Sequence, residues 1–228
     1  MSNSTKMIVL IPAHNESSRI HDVVTGARKY LPVLVIDDGS TDNTAEIATH
    51  AGVRVIRQMP NQGKGAALIN GLTTCLEEGY EAVITIDGDG QHDPEEIPSF
   101  LKTYEQGKVD LIIGKRDFSK MPLRRRIPNS VGKFFFSNAV GQNIPDNQSG
   151  YRLIHRTMIE KILKIDDEKG FEFEVDMLVL CLKNKMILKW VPIKTIYGDE
   201  KSHIKPMHHL VNFFRIVKKA RIRMHSPD

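Results

Sequence analysis

Cysteine is nearly absent: the 228 residues carry two, Cys75 and Cys181. Two in a chain this long cannot build a disulfide framework, and neither stands in a Cys-x-x-Cys pair or a Cys/His cluster of zinc spacing. A reducing compartment is expected. Long apolar runs are missing as well. Stretch 131–140 is interrupted by Lys133 and polar residues, far short of the roughly 18 consecutive apolar residues that a membrane span needs. The polar residues 1–6 lead into a short apolar stretch at 7–11, too short for a secretory leader. The expectation is a cytoplasmic protein. Internal repeats and low-complexity tracts are also lacking. With 40% hydrophobic and 26% charged residues, the composition excludes collagenous, coiled-coil and largely disordered chains.

At about 100 to 200 residues per domain, this length suits one large domain or one with an appended arm. No composition shift marks a second, so 1–228 reads as a single domain. Its charge is uneven, however. Residues 1–110 hold 9 Lys+Arg against 16 Asp+Glu, a net −7, whereas 111–228 hold 23 against 12, a net +11. An acidic half with clustered aspartates suggests a metal; a basic half suggests phosphates, acidic lipid surfaces or nucleic acid. Charge bias without function is the plain alternative. No nucleic-acid fold signature or aromatic interleaving supports nucleic acid, which is set aside.

Short β-rich runs at 7–11, 33–36, 53–56, 82–86 and 110–113 alternate with helical patterns near 17–29, 42–50, 64–78 and 94–105. This alternation predicts βαβ units and a mainly parallel sheet, an α/β fold. The basic stretch 115–129 reads as a long loop. After it come a helix over 130–140, an extended 146–154, helices near 155–164 and 173–184, and strands within 187–196.

In an open parallel sheet, ligands bind beyond the carboxyl ends of the strands. Here those positions are Pro12-Ala13-His14-Asn15-Glu16, Asp37-Asp38-Gly39-Ser40-Thr41-Asp42 and Asp87-Gly88-Asp89-Gly90-Gln91-His92, all expected on one edge. Asp87, Asp89 and Gln91 alternate with glycines, so three oxygen-bearing side chains can converge on a hard divalent cation. A helix-capping turn is the alternative. An EF-hand is excluded, since His92 and Pro98 stand where it needs Gly and Glu. So few protein ligands leave positions for substrate phosphates, as when Mg²⁺ or Mn²⁺ holds a nucleotide pyrophosphate. Residues 58–65 lack the first glycine and the Ser/Thr of a P-loop. Gly63-Lys64-Gly65 can still open a helix and bring Lys64 to a phosphate or ribose; a plain helix start is the other reading.

These four segments, with Asn61-Gln62-Gly63-Lys64-Gly65-Ala66 among them, resemble family 2 glycosyltransferases, most of all the polyprenyl-phosphate (dolichyl-phosphate) mannose and glucose synthase branch. Asp146-Asn147-Gln148-Ser149-Gly150-Tyr151-Arg152 and Tyr197-Gly198-Asp199-Glu200-Lys201-Ser202-His203 resemble later motifs of that branch, and the likeness runs over about 7–210. It implies a GT-A (Rossmann-like) fold, a nucleotide-diphosphate sugar donor (GDP- or UDP-hexose) and inversion at the anomeric carbon. By the same resemblance Pro12, Ala13, Asn15, Glu16 and Asp38 hold base and ribose, and Asp87, Asp89 and Gln91 hold Mg²⁺ or Mn²⁺ and the diphosphate. Arg116 and the pair Arg125-Arg126 before Asn129 receive an acceptor phosphate. The chain then divides into a donor half (7–113), an acceptor half (114–206) and a basic C-terminal helix (207–228).

The candidate catalytic set is Asp89, Arg116 and Asp146. A phosphate monoester, with a second pKa of about 6, arrives ionised and needs arginines to position it rather than a strong base. A sugar hydroxyl would need a carboxylate base such as Asp146. Polyprenyl phosphate is the expected acceptor, a glycan hydroxyl the alternative, and a non-catalytic nucleotide-sugar sensor a third reading. Asp146 to Arg152 also reads as a simple turn. Glu172, Glu174 and Asp176 read either as a solvated face or as an acidic acceptor-side set. His203 and Lys205 follow a loop that can clamp phosphate. Leu210, Phe213, Phe214, Val217 and Met224 share one helical face with basic residues elsewhere; the face either lies on anionic lipid or packs on its own domain. Peripheral attachment at the inner membrane face is expected.

Overall fold

The computed structural model describes residues 5–120, 123–165, 173–194, 196, 215 and 217–224; the side chains of 120, 123–125, 127 and 128 lie outside this set. Seven strands form one sheet: β1 (Met7–Ala13), β2 (Val33–Asp38), β3 (Arg54–Gln58), β4 (Ala82–Thr85), β5 (Leu111–Arg116), β6 (Arg152–His155) and β7 (Leu188–Ile193). Their order is β3-β2-β1-β4-β6-β5-β7. Every neighbouring pair is parallel except those of β6, which runs antiparallel between β4 and β5. The carboxyl ends of the other six strands therefore share one edge, as the sequence leads one to expect.

β1 and β2 are apolar almost throughout because both faces of the central sheet are covered. Alternate residues go to opposite layers. Leu10, Leu34 and Ile36 meet α3 (Lys64–Glu77) on one side, while Val9, Ile11 and Val35 meet α1 (Ile20–Arg28) and α4 (Ile97–Glu105) on the other. α1 faces inward through Ile20, Val23, Val24 and Ala27, an i, i+3, i+4, i+7 set. Each fully buried Leu or Ile contributes about 1.5–3 kcal/mol, so these layers dominate stability. α3 lies close on the sheet at Gly71, where a Cβ would fall 2.3 Å from Leu10 Cδ1. The short α2 (Thr44–His50) closes the flank beside β3.

The loop expected over 115–129 is instead largely helical. A 3₁₀ turn at Phe118–Lys120 precedes α5 (Leu123–Val140), which continues through Pro128. Proline normally ends a helix, but α5 buries Phe136, Ala139 and Val140, and this packing outweighs the local preference. The extended segment expected over 146–154 narrows to β6, and nothing local in the sequence distinguished its antiparallel insertion. α6 (Arg156–Ile162) and α7 (Phe173–Lys183) complete the layer on the α3 side. Cys75 and Cys181 are free and buried, and burial pushes both thiols up to about 12, so both are unreactive.

Of the C-terminal stretch, 215 and 217–224 have helical backbone. Ala220 is buried and Met224 packs on the core, while Lys219 and Arg223 pair with Asp176. These residues pack on their own domain. Leu210, Phe213 and Phe214 lie outside the described residues. No described helix is long and apolar enough to cross a membrane.

Candidate active site

The loops after β1 and β2 are stitched to each other. Asn15, at φ 56, donates its N–H to Ser40 Oγ (2.9 Å) and accepts from Thr41 N through Oδ1 (2.9 Å). Glu16 N donates to Thr44 Oγ1 (2.8 Å). Asp42 accepts from the Thr44 hydroxyl, Ser17 N and Thr44 N. Partial burial works against its charge, but these hydrogen bonds prevail and hold its carboxyl down to about 2. Pro12 and Ala13 are buried beneath this stitching, with His14 and Asn15 exposed above.

Asp38, 3% exposed, accepts from Gln58 Nε2 (2.7 Å), Gln62 N (2.8 Å) and Gly63 N (2.8 Å). One buried carboxylate thus fixes where α3 begins. Gly63 precedes that helix at φ 90, a conformation glycine adopts without steric cost. Lys64 is consequently the first helical residue, and its ammonium lies 2.7 Å from Asp87 Oδ1 and 2.7 Å from Glu174 Oε1. Burial opposes that charge, yet Asp87 and then Glu174 outweigh it and raise the Lys64 pKa. The same balance runs in reverse at Asp87. Burial disfavours its carboxylate, but Lys64, His92 and Arg116 hold its pKa below the ordinary value.

A cleft of about 270 Å³ opens between Pro12, Glu16, Asp38, Lys64, Asp87 and Asp89. Asp89 is fixed at its backbone by Arg19 Nη1 (2.9 Å to the carbonyl) and at its side chain by Gln91 N (2.9 Å to Oδ1). Among the described residues no three His, Cys, Asp or Glu side chains converge as a metal cage. Two hard carboxylates in an open cleft nonetheless suit Mg²⁺ or Mn²⁺ with positions left for phosphate oxygens, and Asp87 already attracts a cation in the form of Lys64. The residues fit that group. The Gln91 backbone is fixed on both sides, its N–H donating to Asp89 and its carbonyl accepting from Ile196 N (3.0 Å). His92 is 5% exposed, packs on Tyr151, and points Nδ1 toward Asp87 Oδ2 at 3.8 Å without a hydrogen-bond partner. Burial lowers its pKa against the pull of Asp87 and Asp89.

On the other side, Arg116 at the end of β5 holds Asp146 in a two-pronged pair, Nε to Oδ2 at 2.6 Å and Nη2 to Oδ1 at 2.8 Å. Asp146 is 1% exposed and also accepts from Gln148 N. The two residues that stand for a phosphate acceptor and a hydroxyl acceptor are therefore one ion pair, and a change at either disturbs both. Beneath it, the 1%-exposed Arg152 donates to the carbonyls of Ser149 (2.9 Å) and Glu174 (2.6 Å). Burial pushes its pKa down to about 10, against Glu174, Asp146 and Asp87.

Glu174 and Asp176 are not a solvated face. Glu174 holds Lys64, and Asp176, 3% exposed, is neutralised by Lys219 and Arg223. No local signal could have joined Lys64 to Glu174, since the two are brought together only by the fold. Arg126 is exposed and Asn129 half-buried on α5. The Arg125 side chain, Glu172, His203 and Lys205 lie outside the described residues.

A mostly parallel α/β sheet with an acidic, cation-seeking cleft at its carboxyl edge defines the GT-A class of nucleotide-sugar folds. Residues 8–163 match the model for glycosyl transferase family 2, and the chain belongs to that family, in its polyprenyl-phosphate sugar synthase branch. It is a glycosyltransferase. The UDP-N-acetylglucosamine--dolichyl-phosphate N-acetylglucosaminyltransferase of Methanococcus voltae is 30% identical over 84% of this chain and 86% of its own. The polyprenol monophosphomannose synthase of Mycolicibacterium smegmatis is 31% identical over 82% and 76%. Among solved structures, glucosyl-3-phosphoglycerate synthase from Mycobacterium tuberculosis, in complex with Mn²⁺, UDP and phosphoglyceric acid, superposes with a TM-score of 0.75 at 19% identity, over 99% of this chain and 80% of that one. At that identity the likeness is one of fold.

Proposed function

We propose that this enzyme transfers a hexose of mannose or glucose type from a GDP- or UDP-sugar to a polyprenyl phosphate, with inversion, as a peripheral protein at the cytoplasmic membrane face. One observation carries the reading: Asp87 and Asp89 open on the cleft while Arg116 ends β5 at the same carboxyl edge of the sheet, paired there with Asp146. Donor diphosphate and acceptor phosphate then meet between opposite charges. The names of the Methanococcus and Mycolicibacterium relatives, a dolichyl phosphate and a polyprenol, support the lipid acceptor.

Pro12, Ala13, Asn15, Glu16 and Asp38 line or brace the nucleoside end, and Lys64 faces the diphosphate. Asp87 and Asp89, with Gln91, are the residues to hold Mg²⁺ or Mn²⁺, which when bound neutralises the charge developing on the leaving diphosphate. Arg116, preset by Asp146, directs an oxygen of the ionised acceptor phosphate at the anomeric carbon from the side opposite the diphosphate. The new sugar–phosphate bond forms as the sugar–diphosphate bond breaks, which inverts that carbon and requires no base. Arg126 and Asn129, exposed and half-buried on α5, extend the phosphate-binding surface, and the resemblance assigns Arg125 and His203 the same role. Both Asp146 oxygens accept from Arg116, which favours the phosphate acceptor over a sugar hydroxyl.

The test is transfer of labelled hexose from GDP-mannose, UDP-glucose and UDP-N-acetylglucosamine to polyprenyl phosphate, with Mn²⁺ or EDTA. Cation-dependent label in the lipid phase is expected with one donor. Transfer only to free sugar hydroxyls would move the enzyme to glycan synthesis, and tight nucleotide binding with no transfer to any acceptor would make it a sensor.

A further inference from the structure

The Lys64 ammonium sits where a cation is wanted, touching Asp87 and Glu174 at equal distances of 2.7 Å. The fold keeps that place for it. A Cβ on Gly150 would lie 3.0 Å from Lys64 Nζ and 2.9 Å from Asp87 Oδ2, so the bare glycine leaves the pair in this position where a side chain would make it shift. Glu174, the other anchor, is held by its carbonyl to the buried Arg152. The Lys64 side chain still keeps 42% of its surface open toward the cleft, so an anionic ligand can reach it. A divalent cation on Asp87 would sit within a carboxylate's width of this ammonium, and like charges that close repel strongly in a partly buried site.

We infer that Lys64 is a resident counter-cation that masks Asp87 in the nucleotide-free enzyme and yields it only when a nucleoside diphosphate draws the ammonium away, so that metal and nucleotide bind cooperatively. The inference rests on the donor-site reading above and adds a regulation to it. Its physical content is a coupling between two ligands: each raises the other's affinity by the same factor. The cell consequence is an enzyme that does not bind metal unproductively before its donor arrives.

The test is Mn²⁺ binding by the full chain, read from the electron paramagnetic resonance of free Mn²⁺, alone and with saturating UDP or GDP. For wild type, nucleotide should tighten Mn²⁺ binding at least about tenfold, within the usual range of such couplings. Lys64→Met should bind Mn²⁺ alone about tenfold more tightly than wild type, and its gain from nucleotide should fall below about threefold. A general field effect of the lost charge would leave the nucleotide gain unchanged and would overturn the inference. So would Lys64→Met binding Mn²⁺ alone no more tightly than wild type. If Lys64→Met does not fold by near-ultraviolet circular dichroism, Lys64→Gln takes its place, and equal wild-type Mn²⁺ affinity with and without a bound nucleotide refutes the mask by itself. Failure of any nucleotide to bind defeats the donor-site reading instead, and the nucleotide-free comparison of wild type with the variant still reads the mask.

Discussion

Two regions of the molecule are built differently. Around the proposed donor cleft, several carboxylates are held by backbone N–H groups: Asp38 by those of Gln62 and Gly63, Asp42 by those of Ser17 and Thr44, Asp89 by that of Gln91, with Asp87 the exception in its ion pair to Lys64. In the proposed acceptor half and the C-terminal helix, charges are held by opposite charges: Arg116 by Asp146, Lys219 and Arg223 by Asp176. At the half-buried Asp89, water can replace a lost carboxylate at little cost, whereas removal of the buried Asp38 would leave N–H groups unpaired. A buried ion pair fails badly when halved, because the remaining charge is stranded. Activity and stability should therefore separate at Asp89 and fall together at Arg116.

The largest effect expected is on turnover. Asp89→Ala should lower kcat by about a thousandfold, the scale of losing a main electrostatic stabiliser of the leaving group, while its thermal midpoint stays near wild type. A parallel loss of fold in that variant would break the distinction. Next, Arg116→Met should abolish transfer and also cost about 3–5 kcal/mol in urea denaturation, since Asp146 is left buried and unpaired. The double variant Arg116→Met/Asp146→Leu should recover most of that stability without recovering activity. Recovery of both would remove Arg116 from the mechanism.

Acid and alkali sharpen the comparison at the Lys64–Asp87 pair, where a cleft carboxylate is held by an ion pair. The Asp87 pKa in the folded state lies below the ordinary 3.8, so its stabilising share is complete above 3.8 and is lost as pH falls through the lower folded value. The Lys64 pKa lies above the ordinary 10.5, so its share is complete below 10.5 and is lost as pH rises through the higher folded value. Unfolding free energy measured against pH should show no contribution from this pair's titration between those limits. In Lys64→Met the acid limb should begin at higher pH, because Asp87 has lost its first counter-charge. The smallest effect is expected at Arg126, which is exposed. Arg126→Ala should raise KM for the lipid phosphate about tenfold, the worth of one charge-assisted hydrogen bond, with stability unchanged within about 0.5 kcal/mol.

The same contrast explains what the amino-acid sequence disclosed. The proposed donor side was legible because its parts are local: an apolar run, then a polar turn, three times over, with glycines in the second and third turns. Parallel pairing brought those turns to one edge as expected, and Lys64 did open a helix. The acceptor side depends on contacts without local signature. Glu174 reaches Lys64 from α7, the Arg116–Asp146 pair merges two residues that had been set as alternatives, and β6 inserts antiparallel where only an extended segment could be read. The stretch 115–129, read as a loop, is carried as helix from Leu123 onward by the packing of α5 on the core. His92 and Arg152 stand inside motifs quoted for their neighbours, and only burial reveals how closely they approach the acidic cluster.

The central claim, a donor nucleotide bound with a divalent cation at Asp87 and Asp89, is tested most directly by thermal shift. Wild type and Asp89→Ala would be heated with GDP, UDP, GDP-mannose, UDP-glucose or UDP-N-acetylglucosamine, each with Mn²⁺, Mg²⁺ or EDTA. At 100 times Kd a ligand stabilises the folded state by about 2.7 kcal/mol, so a clear upward shift is expected for one nucleotide family with metal, lost in EDTA and in Asp89→Ala. A shift indifferent to metal and to Asp89, or none with any nucleotide, would contradict the account.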